Sequence, residues 1–186
     1  AHQAVLFPSN LDDLRAVLLI YRRERRDILG TYELSVDEPL MLEAIAIALA
    51  FGTAERNDVD SLNLVSGRSD WLGEGRWTAV PVREAGLAQL DLAAHTSEPK
   101  GSIVHVSTGS WSTERALPVG GLEDGASGQT WLWQVETHGA WRWEVGERTV
   151  GAYVALSGPT ARDHQWARAL SAGESFATVP VTIAVS

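Results

Sequence analysis

Residues 130–145 read TWLWQVETHGAWRWEV and hold four of the chain's eight tryptophans, in two Trp-x-Trp pairs. Side chains two apart in a strand share a face. Trp131, Trp133 and Val135 then lie together, with Leu132, Gln134 and Glu136 behind them. Trp141, Trp143 and Val145 form a second apolar face, with Arg142 and Glu144 behind. His138-Gly139 sits between the two runs and looks like a hairpin turn. A two-residue loop there sends the two tryptophan faces opposite ways. A three-residue loop, 137–139, pairs Glu136 with Ala140, Trp133 with Trp143 and Gln134 with Arg142, which separates rings from charges. The sequence therefore predicts the odd loop, with Gly139 at positive φ. Four indoles on one face cover several hundred square ångströms by a rough count. They could be core, with indole N–H groups on carbonyls. They could be a platform for a sugar or a partner. They could also be a contact between subunits or domains, where tryptophan is enriched.

The rest of the chain has the same strand-like punctuation. Glycine and proline recur about every 8 to 15 residues, with short apolar or alternating runs between, the spacing of an all-β sandwich. Strands are expected in 16–21 (AVLLIY), 31–36, 61–66 (SLNLVS, Leu62 and Leu64 on one face), 87–93 (LAQLDLA), 102–106 (SIVHV) and 176–185 (FATVPVTIAV). Pro180 marks the last of these as an edge or a bulge. Residues 39–51, PLMLEAIAIALAF, contain helix formers, but Ala44, Ala46, Ala48 and Ala50 alternate with Ile45, Ile47, Leu49 and Phe51. That large–small alternation predicts a strand. One or two helical turns are expected in 160–169, with Thr160 as N-cap and Asp163 in the first turn. No repeat or linker divides the 186 residues, so a single domain is expected.

Composition limits function. Hydrophobic residues make up 45% and charged residues 21%, with a net charge of −9. Such a surface repels nucleic acid and anionic membranes. The basic run Arg22-Arg23-Glu24-Arg25-Arg26 is diluted by its own glutamate and reads as a solvated turn. With no cysteine, disulfides and thiolate metal sites are excluded. No apolar run reaches the ~20 residues of a membrane span, and residues 1–10 show no leader pattern. The compartment stays open, with the cytoplasm favoured. The five histidines (His2, His95, His105, His138, His164) show no ligand spacing, so no metal or other cofactor is expected. His105 reads as a hydrogen-bonded strand histidine. There is no phosphate loop and no nucleophile elbow. Most acids sit in turn-like contexts. Glu114 and Glu174 lie in compact local motifs and are the pair a small glycosidase would use.

Four stretches carry a family likeness. LNLVSGR (62–68), STGSWSTERALPVGGLED (107–124), the tryptophan stretch with the following glycine, and LSAGESFATVPVTIAVS (170–186) follow one another with an order and spacing that resemble the N-terminal domain of family 36 glycoside hydrolases, the bacterial α-galactosidases. The likeness covers residues 61–186, and the first sixty fit loosely. Two departures stand out: Ser69-Asp70 separates Arg68 from Trp71, and Ala172 stands where proline is common. The resemblance implies a two-sheet antiparallel β-supersandwich of the galactose-mutarotase-like kind. It implies a catalytic (β/α)₈ barrel elsewhere in the same polypeptide, bearing both catalytic carboxylates, so that this chain holds no catalytic residue. It also implies a homo-oligomer acting on galacto-oligosaccharides, and a non-catalytic part that packs on the barrel and shapes substrate access. An early loop of the domain can reach an active site in that family, and residues 1–13 do not match it. Arg68, Trp71, Arg76 and Trp77 are the residues expected to face the barrel or its substrate instead. A free-standing carbohydrate-binding module is the alternative.

Overall fold

The computed structural model describes residues 59–70, 72–89, 101–148 and 151–186, together with the backbone of seven strands within the first fifty residues. Those seven are β1 (Gln3–Val5), β2 (Ala16–Val17), β3 (Leu19–Tyr21), β4 (Asp27–Gly30), β5 (Glu33–Ser35), β6 (Leu40–Leu42) and β7 (Ala44–Ala50). A 3-10 turn, Val59–Ser61, leads into β8 (Leu62–Asp70) and β9 (Gly73–Pro81). Then follow β10 (Ser102–Ser107), β11 (Ala116–Asp124), β12 (Thr130–Val135), β13 (Trp141–Arg148) and β14 (Gly151–Thr160). A single helical turn, α1 (Ala161–His164), precedes β15 (Arg168–Leu170), β16 (Ser175–Ala177) and β17 (Val181–Val185).

Two large sheets face each other. One runs β4-β17-β12-β11-β8-β9 and the other β10-β13-β14-β7-β2, antiparallel except for the β2–β7 pair. The alternation of each strand decides what lies between them. Leu62, Leu64, Trp131, Trp133 and Ile183 from the six-stranded sheet meet Trp141, Trp143, Val145, Val154 and Leu156 from the other, all buried. The fold is an all-β sandwich, with one short α-helix among the described residues. The alanine–isoleucine run is a strand, as its pattern predicts, paired so that Ile47 stands opposite Leu156 and Ala48 opposite Ala155. The predicted cap is present: Thr160 Oγ1 accepts from the backbone N–H of Asp163 at the start of α1.

The tryptophan stretch is not a hairpin. β12 pairs with β11 and β17, while β13 pairs with β10 and β14, so residues 136–140 arch from one sheet to the other. Trp133 and Trp143 do meet, but across the interior, edge to face at 5.5 Å between ring centroids. Gly139 is not among the residues with positive φ. The physical reason lies in ring area. A flat hairpin would gather the indoles on one face and still need another surface to cover it. The arch turns each face toward the other and buries both. The core reading of the four rings is therefore the one the structure shows.

Two smaller expectations are corrected. Residues 87–89 form no strand; Leu87 instead turns into the core, and its N–H donates to the Val82 carbonyl. The remainder of that expected strand, 90–93, lies outside the described residues, as does the basic run 22–26. Pro180 makes neither an edge nor a bulge: it stands just before β17, which is an interior strand. Its missing N–H costs nothing there, and its carbonyl accepts from Glu136 N–H at 2.9 Å.

Candidate functional site

The strand directions gather four connections at one end of the sandwich: the β8–β9 tip, the loop 108–115, the arch 136–140 and the excursion 161–180. Among the described residues, three of the most exposed large apolar side chains are at or near this end. Leu72 is 86% exposed at the β8–β9 tip, Trp111 66% in the loop, and Trp77 51% on β9. Leu72 holds φ +63, a left-handed conformation that a branched side chain adopts at a cost. The tip is joined to the loop by the Ser69 N–H donating to the Arg115 carbonyl at 3.0 Å. The Ser107 hydroxyl tightens the same loop by donating to the Trp111 carbonyl at 2.6 Å.

The structure divides the four sequence-predicted residues. Register sets Arg68 opposite Arg76, so both lie on the face of the hairpin that continues the core side. Trp77 stands opposite Gly67 on the other face. Trp71 lies outside the described residues. Arg76 is paired with Asp70, and both are substantially exposed.

Just inside this end, His105 on β10 stands opposite Trp143 and stacks on it at 4.1 Å and 15°. It is not the hydrogen-bonded histidine expected, because its Nδ1 is buried without a partner. Burial, with help from the Arg68 charge, pushes its pKa down to about 4. The indoles are also unequal. Trp141 Nε1 donates to the Ser112 carbonyl at 2.5 Å and Trp143 Nε1 to the Leu117 carbonyl at 3.2 Å. Trp133 Nε1 is buried without a partner, against Gly120.

Polar locks hold the excursion down. His164 Nδ1 accepts from the Thr160 N–H at 2.9 Å, which leaves Nε2 to donate to the Ser107 carbonyl at 2.8 Å. Arg142 bridges Glu144 and Asp163. Burial works against its charge, and the two carboxylates outweigh that, so its pKa lies above the usual arginine value. Glu174 serves a turn: Oε2 accepts from Ser171 N–H at 2.9 Å, and its own N–H donates to the Ser171 carbonyl at 3.0 Å. Glu114 is exposed and crowds Gly109. No group of three histidines and acids gathers for a metal among the described residues. Chemically, this end exposes rings, apolar tips and guanidinium groups.

The opposite end carries a feature that sequence reasoning missed. Glu147 is buried at 2% exposure and pairs with Arg83 at 2.7 Å. Arg83 also reaches Asp60 at 2.6 Å and the Ala88 carbonyl at 2.9 Å. This fastens the turn after β9, with its buried Val82 and Leu87, to the five-stranded sheet. A signal was present: one further step of the alternation Trp141, Trp143, Val145 puts Glu147 on the core face.

No protein-family model matches the chain, and no curated protein sequence matches it. Solved structures do. An α-galactosidase from Lactobacillus brevis aligns over 100% of this chain and 26% of its own, at TM-score 0.61 and 12% identity. A substituted form of the GH36 α-galactosidase AgaA from Geobacillus stearothermophilus, in complex with stachyose, aligns over 100% and 27%, at 0.62 and 14%. The galactosidase domain of an α-galactosidase-sucrose kinase, AgaSK, aligns over 100% and 27%, at 0.58 and 13%. The chain thus has the fold that GH36 α-galactosidases carry over part of their length, and it spans about a quarter of the structures it matches.

Proposed function

We propose that the chain is the N-terminal, non-catalytic part of an α-galactosidase-like glycoside hydrolase. One observation carries this reading: all 186 residues align with only about a quarter of several such chains. The parent reaction is the hydrolysis of terminal α-linked galactose with retention, by two carboxylates outside these residues. The end bearing Leu72, Trp111 and Trp77, with Arg68 and Arg76, packs on the catalytic barrel and borders substrate entry. Further contacts of the domain help subunits assemble. The cytoplasm is the proposed compartment.

The gene continued past the codon for Ser186 tests this. A long frame of alternating strands and helices is expected, and its product hydrolyses an aryl α-galactoside. Turnover of that substrate by residues 1–186 alone overturns the non-catalytic reading. A second reading rests on the exposure of Trp77 and Trp111, since an open indole face suits the C–H face of a pyranose. In that case the isolated chain binds stachyose, and Trp111→Ala abolishes the heat signal. No binding at millimolar sugar sets the module aside.

A further inference from the structure

β9 is the edge of the six-stranded sheet and, among the described residues, pairs only with β8. Its residues 75–79 are all exposed. The pairing parity shows which backbone groups face outward. Val82 N–H donates to the Leu62 carbonyl at 3.0 Å, so alternate pairs from there (Val80 with Leu64, Thr78 with Ser66, Arg76 with Arg68) are the hydrogen-bonded ones. Pro81, opposite Asn63, fits this, since it has no N–H to give. The N–H and C=O groups of Trp77 and Ala79 therefore point away from β8, toward solvent.

We propose that β9 is a self-pairing edge, joined to β9 of a second copy of this chain in an antiparallel ribbon with its two-fold axis at Thr78. That register places Trp77 opposite the second copy's Ala79 and the converse. All four outward-facing groups of each copy are then used, in four N–H···O bonds. Centring on Trp77 or Ala79 uses fewer, because Gly75 leaves extended geometry at φ +70 and Pro81 lacks a donor. Charge also permits it. The chain carries −9 overall, yet Arg76 is the only charged residue in 75–82. In this register Arg76 faces Val80 rather than a like charge. Long, exposed, nearly uncharged edges are templates for pairing, and two-fold pairing closes after one contact, so it does not propagate.

This deepens the assembly part of the proposed function and rests on that reading for its meaning in a longer enzyme. Self-association of the 186 residues is read without barrel or sugar, so its failure leaves the accessory reading standing. Sedimentation of the chain from about 1 to 500 μM is expected to show a monomer–dimer equilibrium. Ala79→Pro removes an outward donor and no bond to β8; it should weaken dimerisation at least about tenfold, with the far-UV spectrum unchanged. Thr78→Lys and Thr78→Glu each place like charges on the axis and should each run as monomers, while an equimolar mixture recovers the dimer. A wild-type chain that stays monomeric throughout overturns the proposal. So does a dimer indifferent to Ala79→Pro and to both charges.

Discussion

The two ends of the sandwich treat similar residues in opposite ways. At the far end, Arg83 meets Glu147 under cover of Val82 and Leu87, and Thr130 and Ser186 exchange both backbone bonds at 3.0 Å. At the near end, Arg68, Arg76 and Arg115 are exposed beside Leu72 and Trp111. Arg83, Val82 and Leu87 close one end, while Arg68, Arg76, Leu72 and Trp111 meet solvent at the other. Burial, rather than residue type, marks the difference.

The comparison breaks first at its closed end and its core. Trp143→Ala should cost about 3–5 kcal/mol in urea unfolding, because it opens a cavity where both sheets and the His105 ring meet. Glu147→Ala should cost about 3 kcal/mol by leaving Arg83 without its buried partner. Arg83→Met with Glu147→Leu should cost clearly less than the sum of the single changes, and strict additivity would contradict a direct pair. Gly120→Ala should cost ~1–3 kcal/mol, since a β-carbon there would sit 2.7 Å from the Trp133 ring.

A gentler test uses pH. The pKa of His105 falls from an ordinary 6.5 to about 4 in the fold, with burial the main cause and Arg68 the second. The unfolded chain then binds the proton more readily. This histidine's contribution to stability is complete above pH about 6.5 and is lost as pH falls toward about 4. His105→Phe keeps a ring on Trp143 and should flatten that slope by up to about one proton. The smallest effect belongs to the open end. Trp111→Ala should change stability by no more than ~0.5 kcal/mol, while the proposed barrel contact calls for faster proteolytic release of the domain from a longer enzyme carrying that change.

Much of this was readable in the residues, and the misses share one cause. Alternation states which face a side chain takes, so the buried set Leu62, Leu64, Trp131, Trp133, Trp141 and Trp143 was legible. It does not state which strand lies alongside. Thr137-His138-Gly139 suits a hairpin or an arch, and the choice depended on how much ring area needed cover from a second sheet. The same gap hid the Arg83–Glu147 pair, whose partners are sixty-four residues apart. Of the candidate site, Arg68 lay in a recognised motif, but the hairpin that carries it with Arg76 and Trp77 was not expected, and only register shows that Trp77 takes the opposite face from the two arginines.

The arch also bears on how the protein reaches its fold. Trp133 and Trp143 belong to different sheets yet stand ten residues apart in the chain. Most contacts between sheets require the ends of long segments to find each other, at an entropic cost that grows with segment length. Here a loop of this size closes in roughly 10–100 ns and brings two of the four core indoles together. The sandwich therefore has a fast local encounter at the centre of a slow, non-local topology, around which the strands from elsewhere in the chain can settle.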